Sequence, residues 1–331
     1  MFTRPDDLTD AEVRAALVRH WGLDVVGVEH AQVGFGSHHW WVHTSDGGRH
    51  FATADDLRLR RRTPAELLDG PLARLRAALT TAAALRDHGL DWVVAPRCTP
   101  SGAVVEPLGE SYALAVHPAV EGTGFGWGPF EDAAHRDAVV DRLVSLHGIS
   151  GCRDAAGTDD LGAALVTGLR ELLDHPGDRW ETGPFGPPAW ELVVERGGVL
   201  GALLDRYTAL GADVDRSRRV LTHGEPHRGN TIVTATGVVL VDWDTCLLAP
   251  PERDLWMLVG EDPGIRERYA ARTGMPLDPR LLDGYRLRWD LADVEACVRD
   301  LRAPHRDDED TRTAWTALRG VLDPTRAQPG G

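Results

Sequence analysis

Apolar residues recur at helical spacing in "LTDAEVRAALVRHWG" (8–22), with Thr9 or Asp10 ahead of them as an N-cap and Gly22 as a stop. The pattern then shortens to strand-like runs, "VVGVEHAQV" (25–33), "HHWWVHTS" (38–45) and "RHFATA" (49–54), parted by turns at "GFGS" and "SDGGR". A helix is predicted over about 71–88, closed by Gly89. Further strands follow at "WVVAP" (92–96), "AVVEPL" (103–108) and "SYALAVHPAV" (111–120). Beyond "EGTGFGWGPF", which reads as a Gly-rich linker, helical periodicity dominates: 137–148, 159–174, 189–210, "RDLWMLVG", 281–302 and a last helix near 308–322. A strand pair around 231–242 interrupts it, and the tail "RAQPGG" reads as frayed. The order predicts an α+β protein, β-rich first and helical after.

Composition narrows the partners. The chain has 331 residues, and its 36 Lys+Arg are all Arg. Against 51 acidic residues the net charge is −15, which repels nucleic acid and anionic membrane and attracts small cations. The cysteines, Cys98, Cys152, Cys246 and Cys297, form no CxxC pair. That spacing fits a reducing compartment, and no apolar run approaches a membrane span. A cytoplasmic protein is expected, a monomer or homodimer acting on a small molecule.

The chemistry concentrates in "VLTHGEPHRGNTIVTATGVVLVDWDT", Val220 to Thr245. Pro226 and Gly229 shape a loop that carries Glu225 and Asn230, and "VVLVD" is a strand delivering Asp242 at its end. Phosphoryl transfer from a nucleotide needs such parts: a carboxylate to orient and deprotonate a hydroxyl, and an amide and a second carboxylate to hold Mg²⁺. His223, Glu225 and His227 lack the one-faced helical spacing of a zinc site.

"HGEPHRGN…LVDWD" resembles the catalytic loop and metal strand of the aminoglycoside phosphotransferase family. "VGFGSHHWWV", "YALAVHPAVEG", "LHG" (146–148) and "PPERDLW" follow in the family's order. The resemblance implies a protein-kinase-like, two-lobed fold, with a nucleotide-binding lobe at 1–118 and a catalytic and substrate-binding lobe at 119–331. It also implies a nucleoside triphosphate, ATP or GTP, with Mg²⁺. Glu225 takes the base position; Asn230 and Asp242 take the metal positions. Gly34, Gly36 and Ser37 lie in the nucleotide-covering turn, and Val116 and Pro118 in the hinge. His223 and Asp254 would brace the loop. For the acceptor, Trp289, Asp290 and Asp293, with Glu261 and Asp262, offer groups for a cationic molecule.

Two departures qualify the resemblance. The family has Asp where this chain has Glu225. Its nucleotide-clamping lysine aligns with Thr53, and the helix at 71–88 holds no Glu to partner one. The Arg run "RLRRR" (58–62) could supply the missing charge, although such a run reads first as a solvated face. A catalytically impaired kinase-fold binding protein, or a pseudokinase partner in a biosynthetic pathway, is therefore the second reading.

Overall fold

A computed structural model of the chain describes residues 1–34, 36–211 and 214–323. Helix α1 (Asp10–Trp21) opens on a capping box: Glu12 N–H donates to Thr9 Oγ1 (3.3 Å), and Thr9 N–H donates to the Glu12 carboxylate (2.8 Å). Gly22, at φ +65°, ends it in the left-handed conformation.

Strands β1 (Val25–Ala31), β2 (Ser37–Thr44) and β3 (Arg49–Asp56) lead to helix α2 (Asp69–Asp87), then β4 (Glu106–Leu108) and β5 (Tyr112–Pro118). They form one antiparallel sheet in the order β1-β2-β3-β5-β4. Alternation divides its faces. Trp40, Val42, Ala52, Ala54, Leu114 and Val116 join Val13, Leu17 and Trp21 of α1 in one core cluster. Ala113 and Ala115 join Leu75 and Leu79 of α2 in another. Each fully buried large apolar side chain contributes about 1.5–3 kcal/mol, so both helices are fixed by packing more than by propensity.

Next come β6 (Thr123–Gly124), α3 (Ala133–His147), β7 (Gly157–Thr158), α4 (Ala163–Asp174), α5 (Gly186–Glu195) and α6 (Gly197–Gly211). After β8 (Val220–Thr222) a hairpin of β9 (Thr231–Thr234) and β10 (Gly237–Leu240) precedes β11 (Leu247–Ala249). Helices α7 (Glu252–Glu261), α8 (Ile265–Thr273), α9 (Pro279–Arg302) and α10 (Glu309–Val321) complete the α+β chain. None of the described helices is long and apolar enough to cross a membrane.

Residues 1–159 and 216–277 make one compact unit; those from 160–215 and from 278 onward make another. Residue 118, the expected boundary, is the last of β5, and the first unit continues past it. The second unit is helical, with Leu200, Leu204, Leu287, Leu291, Leu301 and Leu318 at the centre of its core.

Three expectations are corrected. "WVVAP" is no strand: it makes one parallel bridge, Val93 to Leu240, and Val94 N–H donates to Leu240 O (3.0 Å) before Pro96 removes a donor. The helix expected over 189–210 breaks at Arg196, ahead of Gly197 and Gly198, into α5 and α6. The Gly-rich "linker" contains β6, which pairs with β9. The strands β8 and β11 and helix α8 were not anticipated; β8 and β11 are too short to carry a period. The tail "RAQPGG" and Phe35 of the "GFGS" turn lie outside the described residues.

Candidate active site

The loop after β8 is held from beneath by one buried carboxylate. Asp254, on α7, is 1% exposed and accepts His223 N–H (2.9 Å) and Gly224 N–H (2.6 Å), together with His147 Nε2 of α3 (3.1 Å). Burial works to raise its pKa, but the His147 hydrogen bond and neighbouring positive charge outweigh this and hold it below the ordinary value. His223 continues the brace. Glu225 N–H donates to its Nδ1 (3.2 Å), so its ring proton sits on Nε2 and donates to Val241 O (2.9 Å). Its ring packs 4.5 Å from that of Trp243. His223 and Asp254 thus join the loop, the segment after β10 and α7.

Asn230 closes the loop. Its Nδ2 donates to Glu225 O (3.0 Å), while Val241 N–H donates to Asn230 O (3.0 Å). The amide is oriented so that Oδ1 has no partner among the described residues. Asp242 follows β10 at φ +64°, a left-handed conformation uncommon for a residue with a side chain. The residue is exposed, but desolvation of its carboxyl in the crowded site, with repulsion from Asp244 and Glu225, pushes that group well above the ordinary range. The loop and hairpin therefore bring Glu225, Asn230 and Asp242 into one electrostatic neighbourhood.

This donor set fits Mg²⁺. The free Asn230 Oδ1 and the crowded Asp242 carboxylate are hard oxygen atoms, and a divalent cation relieves the repulsion that raises Asp242. No cluster of three or more His, Cys, Asp or Glu side chains forms a metal cage among the described residues. A cation completed by water and phosphate oxygens needs none.

On the sheet, Gly34 and Gly36 take φ +72° and +80° in the β1–β2 turn. Ser37, buried at the start of β2, donates to Asp55 Oδ1 (2.6 Å). Thr53 faces His39, whose Nδ1 lies 3.2 Å from Thr53 Oγ1 and whose ring stacks on Phe51 (5.1 Å). Burial lowers His39 to about 3 and His117 to about 4, so this face presents neutral rings.

Arg58, Arg61 and Arg62 of the Arg run are exposed, as a solvated face would be, but Arg60 is half-buried. Arg58 pairs with Asp7 and Asp56 (2.8 and 2.7 Å). Arg60 Nη2 donates to Asp55 (2.5 Å) and to Asp244. Sequence reasoning missed Asp55, Asp244's partner and the His39 face, because the side chains involved come from separate strands. The Thr53–Asp55 spacing, two residues along β3, was the available signal.

The other expected residues belong to other elements. Val116 is buried in the core cluster beneath α1, and its carbonyl accepts Arg97 N–H (2.6 Å). Pro118 ends β5 exposed. Trp289, Asp290 and Asp293 are on α9 in the other compact unit, where Asp290 pairs with Arg286 (3.0 Å). Glu261 and Asp262 end α7; Glu261 accepts Phe130 N–H (3.3 Å), and Asp262 pairs with Arg136 (3.0 Å) and Arg268 (2.9 Å). Near the loop, Trp127 is 62% exposed, with its ring 4.6 Å from that of His227.

Known proteins share this architecture. The profile of the phosphotransferase enzyme family (APH) matches residues 28–301. Protein StrN of Streptomyces griseus is 27% identical over 251 residues, which is 73% of this chain and 75% of that protein. The spectinomycin phosphotransferase APH(9)-Ia, solved in complex with ADP and spectinomycin, aligns with TM-score 0.72 and 16% identity over 97% of both chains. Choline kinase LicA from Streptococcus pneumoniae aligns with TM-score 0.59 and 14% identity, over 95% of this chain and 98% of its own. The likeness to these structures bears out the expected protein-kinase-like fold.

Proposed function

The chain belongs to the phosphotransferase enzyme family, APH, and from that premise we propose that it moves the γ-phosphoryl group of ATP or GTP to a hydroxyl of a small cationic metabolite or antibiotic. The observation that carries this reading is the set Glu225, Asn230 and Asp242 on one braced loop and hairpin, with an oriented amide oxygen and a carboxylate crowded by its neighbours. Glu225 accepts the proton of the acceptor hydroxyl as it attacks. Asn230 and Asp242 hold Mg²⁺, which supplies charge neutralisation at the phosphates. Gly34, Gly36 and Ser37 cover the phosphates, and the hinge at Val116 and Pro118 borders the base.

The acidic surface favours a cationic acceptor, and spectinomycin, the ligand of a structural neighbour, is a natural first trial. Asp290, Asp293 and Trp289 are further acceptor groups in this reading, and drug resistance in the cytoplasm is its biological form. The absence of lysine at Thr53 favours the second reading, a binding protein of the same fold.

Thermal unfolding with ATP and GTP, with and without Mg²⁺, separates the two. A Mg²⁺-dependent rise in midpoint that disappears in Asp242→Ala supports transfer. Absence of any shift at millimolar nucleotide overturns it.

A further inference from the structure

Arg60 stands where three parts of the site meet. Its Nη2 donates to Asp55 at the end of β3 (2.5 Å), to Ser37 of the glycine turn (3.3 Å) and to Asp244 beyond the metal strand. One nitrogen takes every acceptor. Nε is buried and has no partner, and Nη1 has none among the described residues. A guanidinium normally spreads its donors over both edges, so an arginine anchored through one nitrogen keeps donors for something else. The side chain remains 25% exposed.

The surroundings specify the missing acceptor. Asp55, Asp244 and Asp242 all act electrostatically on Arg60, and Glu225 acts on Asp242. A ligand that brought its own cation and many oxygens would meet Arg60 as the positive group at this junction. Carboxylate anchors fix the direction of the fork, as a preorganised phosphate contact requires. Helix α2 supports the turn from behind, since Arg74 Nη2 donates to Arg60 O (2.9 Å) and to Glu66 (3.0 Å).

We infer that Arg60, reaching in from the turn after β3, contacts the phosphates of the bound nucleotide and takes the place of a strand lysine in a chain that has none. This rests on the nucleotide site proposed above. Its consequence is a division of roles: Thr53 leaves the strand position neutral, and the charge arrives seven residues later on a side chain held by acids of both flanking elements.

Ligand-observed NMR and calorimetry with Mg²⁺ test it, using ATP, GTP and their diphosphates and nucleosides on wild type, Arg60→Lys and Arg60→Gln. Asp55→Asn/Arg60→Gln is added because Arg60→Gln alone leaves a buried carboxylate unpaired. In folded variants lacking the guanidinium, di- and triphosphate affinity should fall about 10- to 100-fold while nucleoside affinity holds, with Arg60→Lys between. Equal losses for nucleoside and triphosphate, or triphosphate binding as tight as wild type, overturn the inference. Failure of wild type to bind either triphosphate instead overturns the transfer reading, and this inference with it.

Discussion

Replacing Asp254 by Asn tests whether one buried carboxylate organises the loop after β8. The two side chains are nearly isosteric, but Asn offers one oxygen where Asp254 offers two. Oδ2 accepts from His223 N–H and His147, and Oδ1 from Gly224 N–H, so the new amide NH₂ must confront a donor on one side or the other. A charge-assisted hydrogen bond contributes about 1.5–3 kcal/mol, and stranding a buried N–H costs about 1–3 kcal/mol. The expected loss is about 3–5 kcal/mol, a large part of a domain's stability. At about 2–4 °C per kcal/mol the midpoint should fall by about 6–20 °C. The folded pKa lies below its ordinary 3.8, so the Asp254 contribution is fully present above that value and is lost as pH falls through the folded one. The gap between wild type and Asp254→Asn, measured by urea unfolding, should be constant near neutrality and narrow below about pH 4. A variant as stable as wild type at pH 7, or a gap that widens in acid, would refute the reasoning.

Gly224→Ala should cost about 2–4 kcal/mol in urea unfolding, because the residue sits at φ +103° and its new Cβ would meet the Arg253 guanidinium that holds Thr222 Oγ1 (2.8 Å) and Thr245 O (2.9 Å). Gly122→Ala places a Cβ 2.5 Å from Val233 O, so β6 should part from β9 and amide exchange at 231–234 should accelerate. Glu225→Asp draws the carboxylate back by roughly 1.5 Å. Nucleotide hydrolysis should fall about 100-fold with nucleotide affinity unchanged, and an Asp variant faster than wild type would show that the loop keeps a geometry suited to the shorter side chain.

What the sequence disclosed depended on how local each feature is. The N-cap of α1, the hairpin of β9 and β10 and the "HGEPHRGN" loop are written in adjacent residues, and the structure shows each within a residue or two. The helix break at Arg196 escaped because apolar periodicity runs through it; only Gly197 and Gly198 marked it. β6 escaped because Gly122 and Gly124 read as flexibility, whereas at Gly122 the backbone of β9 comes as close as only glycine permits. Arg60 read as one member of a solvated run. Its partners are on three separate elements, and no spacing rule connects Ser37, Asp55 and Asp244.

Cost and support are unevenly distributed in this site. Asp242, exposed at the surface, stands beside like charges and is held at φ +64°, a conformation that costs about 1–3 kcal/mol and persists only where its surroundings over-determine it. The surroundings that do so are the Asp254 and His223 hydrogen bonds beneath the loop and the guanidinium groups of Arg253 and Arg60. Arg253 spreads its two Nη groups over acceptors on different elements, which the point charge of a lysine serves less well. Arg253 Nη1 and Nη2 tie β8 to the turn before β11, while Arg60 ties β3 and the glycine turn to Asp244. Arginine at 253 is therefore suited to its position by geometry as well as by charge, and with Arg60 it fixes the carboxylate-bearing segment after β10, where the strained Asp242 stands.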